Sequence, residues 1–116
     1  MNSKGIRGAI TVDSNTSKDI ESATIELLSE MINRNKIDIS LISHVIFTFT
    51  PDLNAEFPAK FARINLDWSN VPMLCFNEID VPGSLKMCLR VLIVVNCSET
   101  FEPEFVYLKG AKGLRK

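Results

Sequence analysis

Residues 85–95 read L-K-M-C-L-R-V-L-I-V-V, the most apolar run in the chain, and Arg90 interrupts it. The run turns β-branched toward its end and has the length of a strand. Alternation puts Cys88, Leu92 and Val94 on one face and Leu89, Val91, Ile93 and Val95 on the other. A strand apolar on both faces belongs inside a sheet that is covered on both sides. A buried guanidinium costs several kcal/mol unless it finds partners. Arg90 therefore either reaches an edge or is held to meet an anion.

Arg7 repeats the pattern in G-I-R-G-A-I-T-V at 5–12, between small residues that leave room beside it. Arginine presents fixed, planar donors that match a carboxylate. Two arginines on sheet interiors suggest a site that grips carboxylates.

Working outward, residues 5–12 read as a first strand. Gly5, Arg7, Ala9 and Thr11 lie on one face and Ile6, Gly8, Ile10 and Val12 on the other. The stretch D-S-N-T at 13–16 is turn and cap chemistry, and Thr16 with Asp19 resembles a capping box. A helix is predicted over 17–33, with Ile20, Ala23, Leu27, Leu28, Met31 and Ile32 at helical spacing as a core stripe. H-V-I-F-T-F-T at 44–50 predicts a second strand, stopped by Pro51. Pro58 sits where a second helix begins. Strands are predicted again over 71–78 and 105–108, with a turn at V-P-G-S, 81–84.

The order is β-α-β-α-β-β-β, which predicts an α+β fold: a mixed five-stranded sheet with two main helices on one face. The other face is left bare. Two helices are too few to cover it, so subunit association is expected to do so.

The bulk numbers narrow the function. At 116 residues the chain fits a single domain spanning 1–116, burying roughly 65% of its unfolded surface. The net charge of −1 favours neither nucleic acid nor an anionic membrane, so neither is expected as a partner. Three cysteines, Cys75, Cys88 and Cys97, are odd in number and lack a CxxC spacing, which fits a reducing cytoplasm. One histidine, His44, without ligand spacing predicts no metal site. No signal peptide or membrane span is expected. The basic, glycine-containing stretch at 110–116 is expected to be a mobile tail.

No nucleophile–base pair stands out, and Cys75 reads as a packed thiol. If the chain is an enzyme, fixed charges would stabilise a transition state directly. The set Arg7, Lys60, Arg63, Glu78, Arg90 and Arg115 suits a small substrate with two carboxylates and a hydroxyl.

Several motifs, taken in order and spacing, carry a resemblance. They are G-I-R-G-A-I-T-V at 5–12, T-P-D-L-N-A-E-F-P-A-K at 50–60 and the stretch from Trp68 to Val91, which contains V-P-M-L-C-F-N-E-I-D-V-P-G-S-L-K-M-C-L-R-V. V-Y-L at 106–108 and L-R at 114–115 follow. Nearly the whole chain resembles the monofunctional chorismate mutases of the AroH class. The resemblance implies an α/β-barrel-like homotrimer, with sheets packed together in the trimer core and active sites at subunit interfaces. It implies the pericyclic Claisen rearrangement of chorismate to prephenate, in aromatic amino acid biosynthesis, with no cofactor and no covalent intermediate.

Carried over by position, the resemblance gives Arg90 the ether oxygen and a carboxylate, Arg7 a carboxylate, and Tyr107 a further donor. Glu78 accepts from the ring hydroxyl, with Cys75 beside it. Phe57, Ala59, Lys60 and Arg63 form the wall from the neighbouring subunit, and Leu114 and Arg115 the tail that closes over the site. Met73 and Leu74 depart from the smaller or more polar residues usual on that wall. In a regular strand Cys75 and Glu78 face opposite ways, so for both to line one site the chain bends near Asn77 or the contacts are partly backbone. The competing readings are a Rid-type imine deaminase, also trimeric, and a non-catalytic carboxylate-binding module.

Overall fold

The structure is a computed structural model and describes residues 1–114. Its elements are β1 (Asn2–Thr11), α1 (Ser17–Asn35), a 3-10 turn (Ile39–Leu41), β2 (Ile42–Phe49), α2 (Pro58–Asn65), β3 (Met73–Asn77), β4 (Cys88–Cys97), β5 (Val106–Leu108) and a second 3-10 turn (Lys109–Gly113). The expected sheet and both helices are present in the expected order.

The local chemistry explains the boundaries. Thr16 caps α1 by accepting from the Asp19 N–H at 3.2 Å. Lys36 ends the helix in the left-handed conformation, its N–H returning to Ile32 O. Pro58 occupies the first turn of α2, where no N–H is needed. Pro82 and Gly83 make the turn before β4: Gly83 has φ +82° and the Ser84 N–H bonds Val81 O at 3.0 Å.

The sheet order is β3-β2-β4-β1-β5. The strand that opened the sequence analysis is the central one, antiparallel to both β1 and β2. β3 runs parallel to β2 and β5 parallel to β1, so the sheet is mixed. Leu89, Val91, Ile93 and Val95 point from β4 into the main core, with Ile6 and Ile10 of β1, Val45 and Phe47 of β2, and Ile20, Leu27, Leu28 and Met31 of α1. Both helices pack on that face. Gly8 is where α1 comes closest to β1: a Cβ there would run into the Met31 thioether.

The opposite face is only partly covered. Ala9, Cys88 and Ala111 form a small buried cluster, with Leu85, Tyr107 and Leu114 packed against it. Elsewhere on that face Leu74 and Phe76 are exposed. Part of the stretch expected as a mobile tail thus has structure. Lys109–Gly113 is a 3-10 turn, and the Gly110 N–H bonds Thr11 Oγ1 at 2.9 Å. Arg115 and Lys116 lie outside the described residues. Among the described residues no helix is long and apolar enough to cross a membrane.

Candidate active site

The face away from the helices gathers the sequence-predicted charges. Strand pairing sets Thr48, Arg90, Ala9 and Tyr107 side by side across β2, β4, β1 and β5. The next row along the same face is Ile46, Leu92 and Arg7. Arg7 and Arg90 are therefore diagonal neighbours, a separation of roughly 7–8 Å between backbones. Together these residues line a cleft of about 290 Å³, closed on one side by Leu114.

Glu78 joins from the end of β3. Its Oε2 accepts from the Thr48 hydroxyl and stands 3.2 Å from Arg90 Nε. That approach is an ion pair by distance but not an aligned hydrogen bond. Arg90 Nε and the Tyr107 hydroxyl are buried without a hydrogen-bond partner among the described residues. Arg7 is exposed and makes no ion pair among them. A second cleft, lined by Thr48, Thr50, Glu78, Ile79, Val81 and Arg90, adjoins the first through Thr48 and Arg90.

The remaining expected residues lie elsewhere. Phe57 and Cys75 line a third cleft of about 360 Å³ on the helix side, with Asn54, Glu56 and Asn77. Ala59 is buried at the start of α2, and Lys60 is ion-paired to Glu56 at 2.8 Å. Arg63 is exposed on α2, and its charge acts on the Cys75 thiol. Met73 packs against the main core, whereas Leu74 projects from the free face.

Of the two alternatives, the bend near Asn77 is absent. Glu78 continues the ladder, its N–H bonding Phe49 O at 2.9 Å, and the alternation of β3 runs through. Leu74, Phe76 and Glu78 take one face, Met73, Cys75 and Asn77 the other. Within one chain the Cys75 and Glu78 side chains therefore point to opposite faces, which leaves backbone contacts as the way both could line one site. Burial pushes the Cys75 thiol above the ordinary range, an effect partly offset by the Ala59 backbone N–H and the Arg63 charge. It is a neutral thiol at neutral pH.

Sequence reasoning missed Thr48. The signal was there: it is a hydroxyl within the apolar 44–50 strand, on the same alternation as Ile46.

Residues 3–116 match the family model for chorismate mutase type I. The chain belongs to that family. It is 43% identical over 114 residues to chorismate mutase AroH of Thermus thermophilus, covering 97% of this chain and 93% of that protein. Against chorismate mutase AroH of Bacillus subtilis it is 41% identical over 92 residues, 79% of this chain and 72% of the relative. A chorismate mutase structure from Clostridium thermocellum superposes with a TM-score of 0.89 at 46% identity, covering 94% of this chain and 97% of the other. These matches favour the mutase reading over the Rid-type and non-catalytic ones.

Proposed function

We propose that this protein is an isomerase that converts chorismate to prephenate. The observation that carries the reading is the pair of buried donors, Arg90 Nε and the Tyr107 hydroxyl, that make no hydrogen bond among the described residues and line a cleft shared with Arg7. Buried polar groups normally find partners inside the fold. A hydroxyl left without one, beside a guanidinium whose only close anion is the poorly aligned Glu78 carboxylate, and near a second cation, suits an anionic substrate with several oxygens.

The rearrangement breaks one C–O bond as a C–C bond forms within the same molecule. It moves no proton and needs no nucleophile or cofactor. Negative charge grows on the ether oxygen as the C–O bond lengthens. Arg90, fixed in the central strand, meets that charge without reorganising, which lowers the barrier. Arg7 holds a carboxylate, Arg90 also meets a carboxylate, Tyr107 adds a further donor, and Glu78 accepts from the ring hydroxyl. A carboxylate has about four acceptor positions, so Glu78 can serve Thr48 and substrate together. Gripping these groups at once selects the compact diaxial conformer that can react.

We further propose that the working unit is a homotrimer, barrel-like, with the free sheet faces packed inward. The exposed Leu74, Phe76, Ile79 and Val81 around that face support it. Phe57, Ala59, Lys60, Arg63 and Cys75 then complete the site from the neighbouring copy, which accounts for their lying across the sheet from Arg90 in their own chain. Arg115 belongs to the same proposal as the tail over the site.

The test follows chorismate consumption by ultraviolet absorbance, with prephenate identified as product. Arg90→Ala is expected to lose at least about 10²-fold in kcat. A folded wild-type protein without turnover, or a variant with full turnover, would sink the reading.

A further inference from the structure

Arg90 is only as well placed as the start of β4, and that start is unusual. Met87, the residue before the strand, has φ +53°, a left-handed conformation costly for a side chain of its size. Something must hold it there. The surrounding bonds converge on one side chain that the reaction itself does not use.

Asp52 lies in the turn after β2 and is half-buried. Its carboxylate accepts from the Met87 N–H with both oxygens, at 3.2 and 3.0 Å. It also accepts from the Thr50 hydroxyl. Thr50 is buried, and its Oγ1 in turn accepts from the Cys88 N–H at 3.0 Å. The backbone closes the frame: the Thr50 N–H bonds Cys88 O at 3.1 Å, and the Val12 N–H bonds Met87 O at 2.7 Å. Residues 87 and 88 are thus clamped by Asp52 and Thr50 from the turn after β2 and by Val12 just past the end of β1. Arg90 follows two residues later on the same face as Cys88.

We propose that Asp52, with Thr50 as its relay, is a positioning residue that sets the orientation of Arg90 in the cleft. The inference rests on the mutase reading above. A charge-assisted acceptor suits the task, because bonds to an ionised group are shorter and stronger than neutral ones. Without it Met87 can relax out of the left-handed region, and the first residues of β4 shift with it. Displacements of about 1 Å in a site of fixed charges can cost 10²-fold in rate. Arg7 sits on β1, outside this frame, and keeps its grip on the substrate.

The test measures kcat and KM for chorismate, per folded protein, in wild type, Asp52→Ala and Asp52→Asn. Asp52→Ala is expected to lower kcat by about tenfold to 10²-fold with KM changed less than about threefold. Asp52→Asn keeps an acceptor oxygen and is expected to recover most of the loss. If Asp52→Ala does not fold, Asp52→Asn decides alone, with a kcat loss of about threefold at unchanged KM expected. A kcat within twofold of wild type in folded Asp52→Ala, or in Asp52→Asn where the alanine variant does not fold, overturns the proposal. So does a loss that only tracks the folded fraction, or one carried by KM. An inactive wild type would instead overturn the mutase reading, so the two failures are separable.

Discussion

Tyr107 shows how a residue can serve function against stability. It lines the same cleft as Arg90, and its hydroxyl is buried yet finds no hydrogen-bond partner among the described residues. An unsatisfied buried hydroxyl costs the fold about 1–3 kcal/mol, whereas a hydrogen bond to a charged substrate is worth about 1.5–3 kcal/mol. Tyr107→Phe is therefore expected to cut kcat/KM by about 10–100-fold while the melting temperature holds or rises. Equal kcat/KM in the two proteins would remove Tyr107 from the site. The cysteines make a pH prediction at the same scale. Burial pushes the Cys88 thiol up, only partly offset by the Arg90 charge. The unfolded chain then loses its thiol proton first, so stability declines as pH rises from about 8.5. Thermal melts from pH 7 to 10 are expected to show a shallower alkaline decline for Cys88→Ala than for wild type. Equal slopes would exclude this thiol as the cause.

At the scale of elements, the chain advertises what local chemistry decides. Thr16, Pro58 and the Pro82-Gly83 turn mark boundaries because caps and turns rest on near neighbours. The run around Arg90 reads as a doubly buried strand because it is the centre of the sheet. Its start does not: the apolar run opens at Leu85, the strand at Cys88, because a left-handed Met87 is imposed by Asp52 from another turn. Arg7 and Arg90 are legible as a pair because each lies in an apolar strand, but their being diagonal neighbours follows from the β1–β4 register, which involves distant sequence. Asn35 was illegible for the same reason. This buried residue bonds Glu104 twice, donating to its O at 2.9 Å and accepting from its N–H at 2.7 Å, and so ties the approach to β5 onto α1. Asn35→Ala strands both backbone groups and is expected to cost about 2 kcal/mol by denaturant titration. A loss under about 0.5 kcal/mol would show that water replaces both bonds.

At the scale of the whole molecule, the proposed homotrimer can be tested through the residues proposed for the site. Arg7, Arg90, Glu78 and Tyr107 face one side of the sheet. Phe57 and Cys75 line a cleft on the other, with Arg63 near the thiol. Under the proposed trimer, one substrate meets both groups where two chains come together. In a closed ring with head-to-tail interfaces, each contact pairs the Arg90 face of one chain with the Arg63 side of the next. Two disabled proteins should then repair each other. Arg90→Ala and Arg63→Ala would be purified separately, unfolded together at equal amounts and refolded. A site is intact where its Arg90 comes from one parent and its Arg63 from the other, which is about a quarter of sites in random mixing. Recovery of about a quarter of wild-type turnover is therefore expected, with each parent refolded alone remaining weak. Activity no higher than the average of the two parents would place each site within a single chain.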